Sequence, residues 1–217
     1  MSLRINDIAP DFTADSTEGT LSFHEWLGDS YAILFSHPKD FTPVCTTEFG
    51  AVAQLLPEFE RRNTKVMGVS VDTVEEHVKW KFDIEMVAGA KASFPIIDDT
   101  SLTVSKLYDM LPAEAYLPDG RTANDSASVR TTFIVGPDKK IRLMLIYPMT
   151  VGRNFAEIIR ALDAVQASDR MPIATPANWE VGEDVIVRLN VSTEEAQKQF
   201  GAVEEKLPYL RYVKPKA

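Results

Sequence analysis

Short apolar runs and helical apolar repeats alternate along most of the chain. Apolar, often β-branched runs between polar or turn residues predict buried strands, and apolar residues that recur every three or four positions predict helices. The predicted strands lie at 31–35, 65–71, 94–97, 131–135 and 141–147. The predicted helices follow Cys45, run from about 74 to 87 and from about 102 to 108, and begin again near 153. This alternation predicts an α/β domain.

The connections between these elements indicate how the sheet is built. Thr73 and Glu76 form a capping box ahead of the second helix, and Pro57 should kink or interrupt the first one. Residues 136–140 join the last two strands as a hairpin loop, whereas 109–128 lacks periodicity and is predicted to be a long surface loop. Strands that alternate with helices and end in a hairpin favour a mixed central sheet flanked by helices on both faces.

The composition of the chain changes near residue 168. Beyond that point, prolines and Trp179 are followed by short strand-like pieces and by a small helix after Ser192. We therefore predict a first domain over 1–168 and a small C-terminal α+β module over 169–217.

Charge and hydropathy restrict the classes of partner. The formal net charge is −9 and the isoelectric point is about 4.9, so we expect no nucleic acid partner, because phosphate binding needs a basic surface. No apolar run approaches the ~20 residues that a membrane span requires, and residues 1–7 have no apolar core of signal-peptide length. We expect a protein of the cytoplasm with no membrane span.

The chain has one cysteine, Cys45, among its 217 residues. One cysteine cannot form an intrachain disulfide, a Cys-x-x-Cys redox pair or a cysteine-rich zinc site. The histidines, His24, His37 and His77, show no metal-ligand spacing, and no glycine-rich phosphate loop follows a strand. We therefore expect no metal and no other cofactor.

Cys45 lies where a predicted strand and loop lead into a helix. Thr42 takes the N-cap position, and Pro43 takes the first helical position, where its missing N–H costs nothing. Cys45 then falls in the first turn, where unpaired backbone N–H groups and the positive end of the helix dipole favour a thiolate over a thiol. The position favours a reactive sulfur over a structural cysteine.

The residues around Cys45 also carry a family pattern. Pro38, Thr42 and Cys45 match Pro-x-x-x-Thr-x-x-Cys, and this motif resembles that of the peroxiredoxins. The longer string resembles the one-cysteine, peroxiredoxin-6-like branch of that family: His37-Pro38-Lys39-Asp40-Phe41-Thr42-Pro43-Val44-Cys45-Thr46-Thr47-Glu48. The resemblance implies a thioredoxin-like fold and a thiol-dependent peroxidase that reduces hydrogen peroxide or organic hydroperoxides. It also implies a homodimer in which the module at 169–217 contributes to the interface and covers the active site.

Peroxide reduction requires groups that the resemblance assigns to particular residues. When sulfur attacks one oxygen, negative charge develops on the other, so the site needs an ionised sulfur, hydrogen-bond donors and a cation. The Thr42 hydroxyl can donate to or accept from the peroxide, and the Cys45 backbone N–H is a second donor. Arg130, just ahead of the strand at 131–135, matches the arginine that peroxiredoxins place against the thiolate.

Three more residues are expected around this site. Arg153 resembles a further family arginine that pairs with a glutamate, here Glu48, and the pair would orient Arg130. His37 opens the motif string and is expected to lie near Cys45.

The sulfenic acid formed on Cys45 needs an external partner to be reduced, because the chain contains no second cysteine. A small thiol, a redoxin or another protein would supply that thiol. The alternative function is a redox-regulated holdase or peroxide sensor that uses the same oxidation of Cys45.

A second alternative comes from residues 28–32. They resemble the lipase-like Gly-x-Ser-x-Gly of some peroxiredoxin-6-type proteins, with Ala32 in place of the last glycine. The resemblance implies a minor phospholipase activity, with Ser30, His24 and Asp138 as its site residues.

Overall fold

The computed structural model describes residues 2–113 and 127–215. Residues 114–126, within the loop predicted at 109–128, lie outside the described residues. The helices are α1 (Phe23–Leu27), α2 (Pro43–Arg61), α3 (Val74–Ala88), α4 (Thr103–Leu107), α5 (Phe155–Arg170) and α6 (Thr193–Phe200). The strands are β1 (Thr13–Ala14), β2 (Leu21–Ser22), β3 (Tyr31–Ser36), β4 (Thr64–Ser70), β5 (Ile96–Asp98), β6 (Arg130–Val135), β7 (Ile141–Tyr147), β8 (Ile173–Ala174), β9 (Val185–Val187), β10 (Val203–Leu207) and β11 (Leu210–Val213).

A five-stranded sheet forms the centre of the first part of the chain, in the order β5-β4-β3-β6-β7. The middle strand, β3, pairs in parallel with β4 and antiparallel with β6, so that Ile33 lies opposite Val66 on one side and Ile134 on the other. Crossovers through α2 and α3 produce the parallel pairs, and the β6–β7 hairpin adds an antiparallel pair. The predicted mixed sheet with flanking helices is confirmed.

Side chains that alternate along β3 supply two layers of core. Leu34 joins a buried cluster that includes Phe12 and Phe133. The next side chain, Phe35, points to the opposite face and packs against Phe49 of α2, with ring centroids 4.9 Å apart. The start of α2 is therefore anchored to the middle of the sheet.

The helix α2 carries Cys45 and presents buried residues at the predicted spacing, among them Phe49, Val52 and Phe59. It continues through Pro57 to Arg61, so the predicted interruption is wrong. Side chains of α2 are buried on both sides of the proline, among them Val52 before it and Phe59 after it, and this burial outweighs the one backbone hydrogen bond that proline removes.

Sequence signals for the starts of three other helices agree with the structure. Thr73 and Glu76 form the predicted capping box of α3. Ser192 and Glu195 form a second one at α6, and the Asn154 side chain caps α5.

Contacts within the chain define two compact units, the first ending at Arg153 and the second beginning at Asn154. This division falls ahead of the boundary predicted at 168, because α5 groups with the C-terminal residues: Ala167 is buried in a cluster with Ile173 and Val185. The second unit contains a four-stranded antiparallel sheet in the order β10-β11-β9-β8. No helix among the described residues is long and apolar enough to cross a membrane.

Candidate active site

Cys45 is the third residue of α2 and is fully buried. Pro38 is buried in the loop between β3 and α2, and Thr42 precedes the helix with extended backbone angles. The first backbone N–H groups of a helix have no partner within it, so the sulfur lies beside donors and at the positive end of the helix dipole.

Arg130 places a cation directly beside this sulfur. It is the first residue of β6, which pairs with β3, and its Nη1 donates to Cys45 Sγ across 3.3 Å. Its Nε and Nη2 both donate to the Met149 carbonyl, at 2.9 and 2.7 Å. These bonds fix the plane of the guanidinium group beside the sulfur. The carbonyl of Met149 was not foreseen, because a backbone acceptor leaves no signal in the sequence.

Glu48 lies one helical turn after Cys45 and binds both arginines. Arg153 approaches it in a two-pronged geometry, with Nε 2.9 Å from Oε1 and Nη2 2.7 Å from Oε2, and the backbone N–H of Arg153 also donates to Oε1. Arg130 Nη1 donates to Oε2 at 2.7 Å. The structure therefore brings together the Arg153–Glu48 pair and Arg130, as the family resemblance implied.

Burial and charge oppose each other in this cluster. Burial alone would raise the pKa of Glu48, but hydrogen bonds and charge from Arg153, together with the charge of Arg130, hold it below its usual value. Burial lowers the pKa of Arg153, and Glu48 opposes that effect. The carboxylate is thus ionised and shared between two guanidinium groups.

Arg153 also connects α2 to the sheet. Its Nη1 donates to the Thr131 carbonyl and the Thr132 hydroxyl at 3.1 and 3.2 Å, and its guanidinium carbon lies 5.0 Å from the centre of the Phe35 ring. A cation over an aromatic face adds further attraction. The helix turn that carries Glu48 is held in one place relative to β6.

Thr42 occupies the predicted N-cap position, but its side chain makes no capping hydrogen bond. Its hydroxyl donates to the Lys39 carbonyl at 2.8 Å instead. With the hydroxyl hydrogen used in this way, the oxygen keeps its lone pairs, and the remaining role for Thr42 in a site is that of an acceptor.

A buried polar group beside the motif was not foreseen. His37, predicted to lie near Cys45, is fully buried and its Nε2 is 2.6 Å from Asp40 Oδ1, while His77 Nδ1 is 2.6 Å from Asp40 Oδ2. Their possible ligand atoms lie within 4.8 Å of one another, which makes them the described residues best able to hold a metal. Asp40 and His77 are far apart in sequence, so spacing along the chain could not reveal the group.

The three residues of the suggested phospholipase site have hydrogen-bond partners outside that trio. Ser30 Oγ donates to Asn63 Oδ1 at 3.1 Å, and His24 Nε2 lies 2.7 Å from the Ala9 carbonyl. The Asp138 carboxylate pairs with Arg142 at 3.0 Å. Burial alone would raise the pKa of Asp138, but the bond from Arg142 holds it below its usual value. The phospholipase site stays a prediction.

A buried cysteine at a helix start, with an arginine beside its sulfur on a thioredoxin-like sheet, defines the class of thiol-dependent peroxidases. Comparison with protein families agrees with that class. The AhpC/TSA family model matches residues 5–144, and the model of the C-terminal domain of 1-Cys peroxiredoxin matches residues 164–202.

Curated relatives cover nearly the whole chain. The mitochondrial peroxiredoxin PRX1 of Saccharomyces cerevisiae is 50% identical over 217 residues, which are 99% of this chain and 82% of the yeast protein. Peroxiredoxin-6 of Mus musculus is 46% identical over 221 aligned positions, covering 97% of this chain and 96% of the mouse protein.

Solved structures of similar proteins give the same result. A structure of the yeast mitochondrial 1-Cys peroxiredoxin, concerned with thiol resolution via glutathione/thioredoxin systems, has a TM-score of 0.91 at 48% identity and covers 98% of this chain and 99% of that one. A cysteine-to-serine mutant of peroxiredoxin 6 from Arenicola marina has a TM-score of 0.92 at 42% identity, with full coverage of both chains. The chain belongs to the peroxiredoxin family, in its one-cysteine, peroxiredoxin-6-like branch. It is a thiol-dependent peroxidase, and Cys45 is its single peroxidatic cysteine.

Proposed function

We propose that the peroxide is reduced between Cys45, Thr42 and Arg130. The observation that carries this assignment is the 3.3 Å contact between Arg130 Nη1 and Cys45 Sγ at the start of α2. The Cys45 thiolate attacks the terminal oxygen of a hydroperoxide, the O–O bond breaks, and the leaving oxygen departs as water or an alcohol after it takes a proton. Cys45 becomes a sulfenic acid.

In this proposal Thr42 accepts a hydrogen bond from the hydroperoxide O–H. The bond from its hydroxyl to the Lys39 carbonyl supports an acceptor role and orients the free lone pairs. Arg130 and the Cys45 backbone N–H stabilise the negative charge that grows on the leaving oxygen. Preorganised donors of this kind contribute on the order of 3 kcal/mol each. Glu48 and Arg153 act through Arg130, whose orientation they set.

Substitution of Thr42 tests the assignment. Thr42→Val keeps the branched shape but removes the acceptor, and we expect the rate of Cys45 oxidation in rapid-mixing experiments to fall roughly 100-fold. Thr42→Ser should keep most of the rate, and Cys45→Ser should show no reaction. Equal rates for the Val and Ser variants would exclude a role of the hydroxyl on the peroxide.

We propose that an external thiol, either a small thiol or a redoxin, completes the cycle. One thiol displaces water from the sulfenic acid to form a mixed disulfide, and a second releases Cys45 as a thiol. The single cysteine of the chain and the glutathione/thioredoxin systems named for the yeast relative support this route. Sustained turnover with glutathione or with a redoxin is expected. A single oxidation without turnover by any thiol would instead favour the holdase or sensor.

We further propose a homodimer, to which the C-terminal residues 169–217 contribute, and a cytoplasmic location. Support for self-association comes from β7, which forms one edge of the central sheet and carries the exposed side chain of Ile146. Light scattering during size-exclusion chromatography would give the mass in solution, and a monomer at all concentrations would exclude the dimer. Cell fractionation tests the location.

A further inference from the structure

Asp40 joins the active-site loop to three other parts of the first unit. Its carboxylate bonds to His37 at the end of β3 and to His77 of α3, and its backbone N–H donates to Asp72 Oδ2 at 2.8 Å. Asp72 also accepts from the Ser70 hydroxyl at 2.8 Å. All of these side chains except that of Ser70 are titratable, and all are buried.

The hydrogen-bond partners of His77 determine how many protons its ring carries. Nδ1 faces Asp40 Oδ2 at 2.6 Å, and Nε2 faces the Ile97 carbonyl at 3.1 Å. An ionised carboxylate and a carbonyl can only accept, so both ring nitrogens of His77 are placed to donate. Burial alone would raise the pKa of Asp40, but the bonds from His37 and His77 lower it to about 2, in agreement with an ionised carboxylate.

The ring of His37 differs from that of His77. Its Nε2 faces Asp40, whereas its buried Nδ1 has no hydrogen-bond partner among the residues that the structure describes. The ring is enclosed by Trp80 and Phe49, at centroid distances of 5.0 and 4.5 Å. Burial lowers the pKa of His37, and its hydrogen bond to Asp40 acts against that effect, so His37 is neutral and donates to Asp40 through Nε2. The Asp40 carboxylate thus accepts hydrogen bonds from both rings.

The loop that Asp40 anchors contains a strained residue. Phe41 has φ of 54°, in the left-handed region that side chains other than glycine rarely adopt, and 52% of its surface is exposed. Such a conformation costs on the order of 1–3 kcal/mol and persists only where neighbouring contacts hold it. The exposed ring does not supply them. The bonds of the Asp40 carboxylate to His37 and His77 hold the chain on one side of Phe41, and the Thr42 hydroxyl bond to Lys39 holds it on the other.

We propose that Asp40 is a positioning residue of the peroxidase site, and that the hydrogen bonds of its carboxylate to His37 and His77 hold the loop in the strained form that presents Thr42 to the peroxide. The proposal rests on the role proposed above for Thr42. In this role, Asp40 contacts no reacting atom. Loss of the anchor lets Phe41 relax, which moves the Thr42 oxygen relative to the sulfur. A misplacement of about 1 Å is enough to slow a reaction by roughly 100-fold.

The first test measures the protonation of the two rings in the full-length protein. In ¹⁵N spectra at neutral pH, both nitrogens of His77 should appear protonated, whereas His37 should show one protonated and one unprotonated nitrogen. His77→Gln and His37→Gln assign the signals. An unprotonated Nδ1 on His77 would overturn the hydrogen bond that His77 donates to Asp40. So would binding of one equivalent of Zn²⁺ that removes a His77 proton, since the group would then be a metal site.

The second test distinguishes the hydrogen bonds of the Asp40 side chain from its negative charge. In Asp40→Asn, the amide oxygen accepts from His37 and the amide nitrogen donates to a neutral His77, which still donates to the Ile97 carbonyl, so every bond is kept. We therefore expect Asp40→Asn to retain most of the rate of Cys45 oxidation, with loss of one His77 proton. Asp40→Ala should lose roughly 100-fold in that rate. Glu75→Ala, an exposed carboxylate of α3, is the matched control.

The kinetic result distinguishes this proposal from the one on which it rests. A wild-type rate in Asp40→Ala, or an equal loss in Asp40→Asn and Asp40→Ala, would overturn the positioning role, whatever the Thr42 variants show. If Thr42→Val reacts normally while Asp40→Ala is slow, the Thr42 assignment fails and Asp40 acts on another part of the loop. Should Asp40→Ala not fold, the rate of Asp40→Asn and the spectra of the wild-type protein still decide.

Discussion

At the scale of single residues, the site depends on how one carboxylate balances two buried guanidinium groups. Glu48 bonds Arg153 through both oxygens and Arg130 through one, and all three side chains are at least nine-tenths buried. Breaking a buried ion pair on one side leaves a charge without compensation, which is far more costly than the loss of a surface pair.

Glu48→Gln keeps the shape of the side chain and removes its charge. We expect the free energy of unfolding in urea to fall by about 3–5 kcal/mol, because two buried cations then share a neutral amide. Cys45 oxidation should also slow, since Arg130 loses a charged partner. Glu60→Gln, at an exposed position of α2, is the control and should change little. Equal unfolding free energies for the two variants would contradict the conclusion that the Glu48 charge compensates two buried guanidinium groups.

At the scale of elements, contact between α2 and α3 sets where the active-site helix lies. Gly50 of α2 faces Ala88 at the end of α3, and a Cβ built at Gly50 would lie 2.9 Å from the Ala88 Cβ. Real Cβ atoms do not approach so closely, so a methyl group at position 50 forces the helices apart.

A methyl exchange between these two positions tests that contact. Gly50→Ala should destabilise the protein by roughly 1–3 kcal/mol through overpacking, less about 1 kcal/mol gained in helix propensity. Adding Ala88→Gly returns the space, so the double variant should be more stable than the sum of the single variants predicts. The unfolding free energies of the wild type, the two single variants and the double variant give the coupling energy between positions 50 and 88. Strict additivity would mean that the helices adjust without strain.

The hydrogen bond between Asp40 and His77 of α3 predicts how the stability of the folded protein changes at low pH. Burial opposes ionisation of Asp40, but the hydrogen bonds from the two histidines outweigh it and lower the pKa from 3.8 to about 2. A carboxylate with a lowered pKa stabilises the folded state above its unfolded pKa, and this contribution disappears as the pH falls toward its folded pKa. Asp40 should therefore contribute roughly 2 kcal/mol that is lost between about pH 4 and pH 2.

Asp40→Asn removes this titration while leaving Glu48 in place. The difference in unfolding free energy between wild type and variant should narrow as the pH is lowered from about 4 to 2. The pKa of Asp72 shifts in the opposite direction to that of Asp40, because burial, together with the charge of Asp40, raises it. A difference that stays constant over this range would show that Asp40 does not carry its charge into the folded state.

At the scale of the whole molecule, the presence of a single cysteine decides the fate of the oxidised protein. The sulfenic acid on Cys45 has no thiol in its own chain to react with. Without an external thiol, further peroxide should convert it to sulfinic acid, and activity lost in this way should not return with simple thiols. Intact-mass spectrometry during a peroxide titration should show successive additions of oxygen.

Glutathione or a redoxin added before the second equivalent of peroxide should protect the protein. The control is Cys45→Ser, which should gain no oxygen at that position. A disulfide between two Cys45 residues, formed as fast as peroxide is consumed, would contradict the external thiol.

Local sequence was sufficient for much of this structure. The apolar periods located the main strands and helices, because each pattern reflects which side chains face a core. The Pro-x-x-x-Thr-x-x-Cys motif located Cys45 at a helix start, because N-terminal helix positions depend on neighbouring residues alone. Family resemblance added Arg130, Arg153 and Glu48, which no local pattern connects.

Tertiary structure decided the features that depend on residues far apart in sequence. Only the pairing of β3 with β6 brings Arg130 to the sulfur, and only the packing of α2 against α3 brings His77 to Asp40. Packing also keeps α2 helical through Pro57, where the sequence predicted a kink or an interruption. It places α5 in the C-terminal unit, whereas the change in composition predicted a boundary at residue 168. The physical reason is that a buried charge needs a partner close to it in space. The local sequence does not indicate which distant residue the fold places there.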